Sequence, residues 1–177
     1  LGDVYKRQGN MKSDTIAAIA TALSDAGIGI IRISGPEAIA VANRVVVNKK
    51  KEHTLKNWQT HTIHYGFVEE NGTILDEVMV SVMKAPRSYT TEDTVEINCH
   101  GGVLLTKRVL EAVLHAGARM AEPGEFTKRA FLSGRIDLSE AEAVMDLIQA
   151  KNQFSMQASI KQLRGSVACL LYTSPSP

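Results

Sequence analysis

Asn71-Gly72 stands between two β-rich runs, Thr60 to Val68 and Ile74 to Val82, and this arrangement constrains the chain more than any other feature. An Asn-Gly pair favours a two-residue turn with positive φ at both central positions, whose twist matches that of two antiparallel strands. The segment therefore predicts a hairpin, and Thr94 to Asn98 adds a further strand to an antiparallel meander. Upstream, Gly27 to Gly35 is a β-branched run bounded by glycines, which reads as a strand buried on both faces or nearly so. Thr15 to Ala22 reads as a strand or extended lead-in.

Two helical patterns interrupt these strands. Pro36 suits a first helical turn, Ser34 reads as its cap, and Ala38, Ile39, Val41, Ala42 and Val45 recur with helical spacing, so a helix is expected over about 36–47. After His100-Gly101-Gly102, the apolar residues Val103, Leu104, Val109, Leu110, Val113 and Leu114 predict an amphipathic helix stopped by Gly117. Ala118 to Ala121 returns as a short strand. The order predicts an α+β domain with a mixed or antiparallel sheet and two helices over residues 11–132.

From residue 133 the organisation changes. Asp137 and Glu140 have the spacing of a capping box, and Val144, Leu147, Ile148, Ala158, Ile160 and Leu163 extend one helical face. Residues 133–167 thus read as the first long helix of an incomplete all-α domain, whose apolar face needs a partner from further chain or another subunit. The two ends look foreign. Residues 1–10, before Met11-Lys12-Ser13, show no period, and residues 168–177 break the helical pattern, so both are expected to be non-native tails with little structure.

Composition excludes little beyond this. The 20 basic and 19 acidic residues nearly cancel, so charge neither demands nor forbids a polyanionic partner. The apolar runs are far shorter than the roughly 20 residues a membrane helix requires, and no secretory signal is legible. Two cysteines, Cys99 and Cys169, make no disulfide framework, and a reducing cytoplasm is the simplest setting. The Cys and His spacing offers no metal-site pattern.

Chemistry is suggested by two charges in apolar strands. Arg32 lies among isoleucines, and Glu96 lies between Val95 and Ile97. A charge so placed costs several kcal/mol unless it is paired. One reading is a salt bridge between the two, or satisfaction of each by nearby backbone. The other is a site where Glu96 accepts paired N–H donors from a ligand and Arg32 meets an acidic or carbonyl group. The residue pattern leaves both open. His100-Gly101-Gly102 lets a ligand approach the backbone at a helix start, but two glycines at such a turn also serve backbone geometry alone. Cys99 reads as a small buried side chain. No window supplies Gly-x-x-x-x-Gly-Lys-Ser/Thr, so this stretch is not expected to bind GTP.

Four segments together carry a resemblance. They are Asp14 to Thr21, Gly27 to Gly35, Tyr89 to Gly102, and Ala121-Glu122-Pro123-Gly124-Glu125-Phe126-Thr127-Lys128-Arg129-Ala130-Phe131-Leu132-Ser133-Gly134-Arg135-Ile136-Asp137-Leu138-Ser139-Glu140-Ala141-Glu142-Ala143. In this order the chain, over about residues 13–166, resembles the MnmE (TrmE) family from its N-terminus into its helical domain. The resemblance implies a cytoplasmic tRNA-modification GTPase that, with MnmG, installs a carboxymethylaminomethyl group on the wobble uridine. It implies an N-terminal domain, similar to aminomethyltransferases, that binds 5-formyl- or methylene-tetrahydrofolate and forms a homodimer. The family's folate contacts fall on Arg32, Glu96 and Arg135, with no catalytic residue in this stretch. GTP, magnesium and potassium belong to a domain of the family that is absent here. Thr21 to Ala26 departs from the Pro-Gly-rich loop of relatives. Rival expectations are a purely structural dimerisation scaffold and a stand-alone folate-dependent aminomethyltransferase relative.

Overall fold

The computed structural model describes residues 14–22 and 27–172, without the side chains at 155, 159 and 162–172. The expected N-terminal tail, residues 23–26 of the departing loop and residues 173–177 lie outside the described residues. The chain divides into two compact units, Leu1–Arg135 and Ile136–Pro177.

The first unit is built on a seven-stranded sheet, flanked by helices. In chain order the elements are β1 (Ile16–Ile19), β2 (Gly29–Ser34), α1 (Ala38–Val45), β3 (Val46–Val47), a 3-10 turn (Leu55–Asn57), β4 (Thr62–Glu70), β5 (Thr73–Met83), β6 (Thr94–Cys99), α2 (Gly102–His115), β7 (Arg119–Met120) and α3 (Glu125–Leu132). The sheet order is β3-β4-β5-β6-β2-β1-β7. Only the β1–β7 pair is parallel, so the sheet is mixed and the domain α+β.

The expected hairpin forms at Asn71-Gly72. Their φ values of 52° and 80° give the doubly left-handed turn that this dipeptide favours, and Glu70 pairs with Thr73. Strand alternation then sorts side chains onto two faces. Val78, Val80 and Val82 of β5, Val95 and Ile97 of β6, and Ile31 and Ile33 of β2 are buried in one core. Helix α1 meets them with Ala38, Val41, Ala42 and Val45, and α2 with Thr106, Val109, Leu110 and Val113. Each set follows the i, i+3, i+4, i+7 spacing of one helix face. Burying each of the Val, Leu and Ile side chains stabilises the fold by about 1.5–3 kcal/mol, and truncating Ile97 to Ala is expected to cost about 2–5 kcal/mol.

Several expectations need correction. β2 is not buried on both faces: Ile31 and Ile33 face the core, while Ile30 and Arg32 point to the opposite, half-exposed side. Helix α1 starts at Ala38, and Ser34 does not cap it. The Ser34 hydroxyl is taken by Thr90 and Glu92, and Thr15 Oγ1 accepts the Glu37 N–H at 2.8 Å instead. The helix also ends early, because Val46 and Val47 turn extended and pair with Val68 and Phe67 of β4, where branched side chains pack readily. Helix α3 had no counterpart in the sequence reading.

The second unit is α4 (Leu138–Tyr172). Asp137 Oδ1 accepts the Glu140 N–H at 2.8 Å, as the capping spacing predicts. The helix continues past Gly165 to Tyr172, beyond the expected limit, since Val167 to Leu171 contains neither glycine nor proline to stop it. Leu147, Phe154, Met156 and Ile160 are exposed.

Candidate functional site

Antiparallel pairing of β2 with β6 sets Arg32 directly opposite Glu96. Because cross-strand partners share a face, a row runs across the sheet: Ile63 of β4, Ser81 of β5, Glu96, Arg32 and Ala18 of β1. Beside it run Tyr65, Met79, Asn98 and Ile30. This is the face away from the aliphatic core. Ile63 and Tyr65 on it are 64% and 45% exposed, an unusual exposure for large apolar residues within a strand.

Arg32 Nε donates to Glu96 Oε1 at 2.9 Å, with the two side chains 31% and 24% exposed. The contact is single, not a two-pronged clasp. Among the described residues, both terminal nitrogens of Arg32 and Glu96 Oε2 have no hydrogen-bond partner. A carboxylate with one free oxygen beside a guanidinium with two free NH2 groups can accept a donor and donate to an acceptor at the same place. Above the guanidinium lies Phe126 of α3, its ring centroid 5.6 Å from Arg32 Cζ. Arg135, by contrast, follows the end of α3. Its backbone N–H bonds Ala130 O at 2.9 Å, its side chain is exposed, and among the described residues nothing ties it to Arg32 or Glu96.

The segment from Pro123 to Ala130 explains how Phe126 reaches this face. Gly124, with φ 75°, turns the chain into α3. Thr127 exchanges a hydrogen bond with Tyr89 OH at 3.1 Å, and Ala130 is fully buried. Arg129, only 12% exposed, ion-pairs with Asp14, Glu92 and Glu125 at 2.9, 3.1 and 3.3 Å. Arg119 joins the same carboxylates of Asp14 and Glu125. The hydrogen bond from Arg119 holds the Asp14 carboxyl below its ordinary range, against some burial. Burial pushes Glu125 upward, but Arg119, the Glu122 N–H and Arg129 together outweigh it and leave Glu125 lowered. The lattice fastens α3 to β7, to the lead into β1 and to the loop before β6. Sequence reading missed α3 and Phe126. The signal was present in the i, i+4 pair Phe126 and Ala130 behind a glycine, but eight residues give too little period to separate helix from loop.

The remaining candidates are structural. Cys99 is fully buried, and burial, with Asp76 nearby, pushes its thiol up to about 12. At the glycine turn the His100 N–H already donates to Asp76 Oδ2 at 2.8 Å, and a Cβ on Gly101 would lie 1.9 Å from Leu105 Cδ2. Close packing against Leu105 is therefore enough to account for Gly101. A cleft of about 760 Å3 is bordered by Thr15, Pro36, Ala85 and the carboxylates of Asp14, Glu37, Glu92 and Asp93. Arg32 and Glu96 are not among its walls.

The family described as GTP-binding protein TrmE N-terminus matches residues 15–135. A protein from Lachnoclostridium phytofermentans named tRNA modification GTPase MnmE is 61% identical over 157 residues, covering 89% of this chain and 34% of that protein. Proteins of the same name from Listeria welshimeri and Bacillus subtilis are 55% and 52% identical over 161 and 160 residues, covering 91% and 89% of this chain. The chain spans about a third of the length of the curated relatives it matches.

Proposed function

Because the chain belongs to the TrmE family of tRNA modification GTPases, we propose that it binds a tetrahydrofolate one-carbon derivative, 5-formyl- or methylene-tetrahydrofolate, at Arg32 and Glu96. The observation that carries this reading is the half-exposed, singly bonded Arg32–Glu96 pair with its unused polar atoms. A pterin offers neighbouring N–H donors that Glu96 Oε2 can accept, while its carbonyl and the glutamate tail suit guanidinium NH2 groups. Arg135, exposed at the end of the same unit, is suited to the tail by charge alone. Bound folate supplies the one-carbon unit; the residues here bind and orient it.

Phe126 of α3 stands over the guanidinium, but the sheet face beside the pair is open, so a second wall is needed. Exposed Ile63 and Tyr65 on that face support a homodimer that provides one. Residues 11–132 form the folate and dimerisation domain in this reading, and residues 133–167 begin the helical domain. In the whole protein this part acts with MnmG on the wobble uridine of tRNA in the cytoplasm, while GTP, magnesium and potassium are used by sequence outside this chain. Among the described residues no helix is long and apolar enough to cross a membrane.

Calorimetric titration of 5-formyltetrahydrofolate into the chain tests the reading. Saturable heat at micromolar ligand is expected, with Glu96→Ala weakening it while the protein still melts cooperatively. The direct ion pair favours a second reading, a dimerisation scaffold in which Arg32 and Glu96 serve only each other. No heat at high micromolar ligand leaves that scaffold alone.

A further inference from the structure

Arg32 reaches its position from a strand, yet Glu96 restrains it through Nε only. A guanidinium held at one nitrogen can still swing about its remaining torsions, and its two terminal nitrogens would then point in many directions. The second restraint comes from α3. Phe126 is half-buried, with its ring 5.6 Å from Arg32 Cζ, within the range at which a ring face attracts a cation. A guanidinium seated on a ring with one edge bonded to a carboxylate has its free edge fixed.

An eight-residue helix needs anchoring from outside, and here that anchoring lies on both sides of Phe126. Arg129 and Glu125 are each 12% exposed and are tied by ion pairs to Asp14, Arg119 and Glu92, while Thr127 bonds Tyr89. These contacts fix the one helix face that carries Phe126.

We propose that Phe126 is a positioning residue for Arg32: its ring, locked in place by the Glu125–Arg129 lattice, aims the two terminal nitrogens of Arg32 at an anionic or carbonyl group of the ligand. This rests on the folate reading above. The substitution Phe126→Leu keeps an apolar side chain but removes the ring face. Phe126→Tyr keeps the ring.

Two measurements test it on the 177-residue chain. In NMR spectra the Arg32 Nε–H resonance is expected to shift in Phe126→Leu, with the loss of ring current and of fixed geometry, and to stay near its wild-type position in Phe126→Tyr. In calorimetry with 5-formyltetrahydrofolate, Phe126→Leu is expected to bind about three- to tenfold more weakly and Phe126→Tyr to restore affinity, with melting temperatures alike. An unmoved Arg32 resonance in folded Phe126→Leu overturns the inference whatever folate does. So does full affinity in Phe126→Leu, or equal loss in both variants. Wild-type protein that binds no folate, with the resonance shifted, overturns instead the folate reading and leaves Phe126 only as a structural support.

Discussion

Arg129 Nη1 lies 3.1 Å from Glu92 Oε2, joining α3 to the loop that leads into β6, 37 residues away in sequence. The same guanidinium donates to the Asp14 backbone carbonyl and reaches the carboxylates of Asp14 and Glu125. One side chain thereby gathers three separated segments beside the candidate site.

Arg129→Met removes this hub while keeping much of the apolar stem. Two mostly buried carboxylates, Glu92 and Glu125, then lose a cationic partner. Breaking one side of such a pair is expected to cost about 3 kcal/mol of unfolding free energy. Urea denaturation of the two proteins measures it, and a loss under about 1 kcal/mol would show that solvent already screens the lattice.

Acid should loosen the same lattice. Asp14 and Glu125 have folded-state carboxyls below their ordinary values of 3.8 and 4.5. Each therefore contributes stability that is complete above the ordinary value and is lost as pH falls through the lowered one. Unfolding free energy is expected to hold between pH 7 and 5 and to decline below about pH 4.5. Glu125→Gln is expected to be less stable at neutral pH and to show a shallower acid decline; parallel pH profiles would contradict this.

Cys99 should be inert in the folded protein. With its thiol pushed up to about 12 and no exposed surface, thiolate is scarce at neutral pH. In a Cys169→Ser background, labelling by a disulfide reagent at pH 8 is expected to proceed only as fast as the domain opens, and at once in denaturant. Rapid stoichiometric labelling without denaturant would refute it.

Ile63→Asp tests the proposed dimer face. Ile63 is 64% exposed and stands in the cross-strand row that contains Glu96 and Arg32. A carboxylate there should raise the dimer dissociation constant at least about tenfold without loss of fold, since the residue buries little within one chain. Sedimentation equilibrium at several concentrations reads this out. Wild-type protein that remains monomeric at tens of micromolar would remove the face from consideration.

Local pattern determined much of this protein. The Asn71-Gly72 turn, the alternating valines of β5, the i, i+3, i+4, i+7 faces of α1 and α2 and the Asp137 cap each depend on residues within a turn or two of one another, so sequence spacing reveals them. The odd placement of Arg32 and Glu96 was equally legible, because a charge in an apolar strand stands out without knowledge of its neighbours. What spacing could not decide was their relation. Whether they meet depends on the register of β2 against β6 across a separation of 64 residues, which is set by core packing and the intervening strands. Tertiary structure likewise decided that Ser34 serves Thr90 and Glu92 instead of a helix, that Val46 and Val47 join a sheet edge, and that α3 forms at all. An eight-residue helix is too short to persist on its own propensity. It exists here because Arg119, Glu92 and Asp14 hold it from outside, and those partners come together only once the sheet has folded.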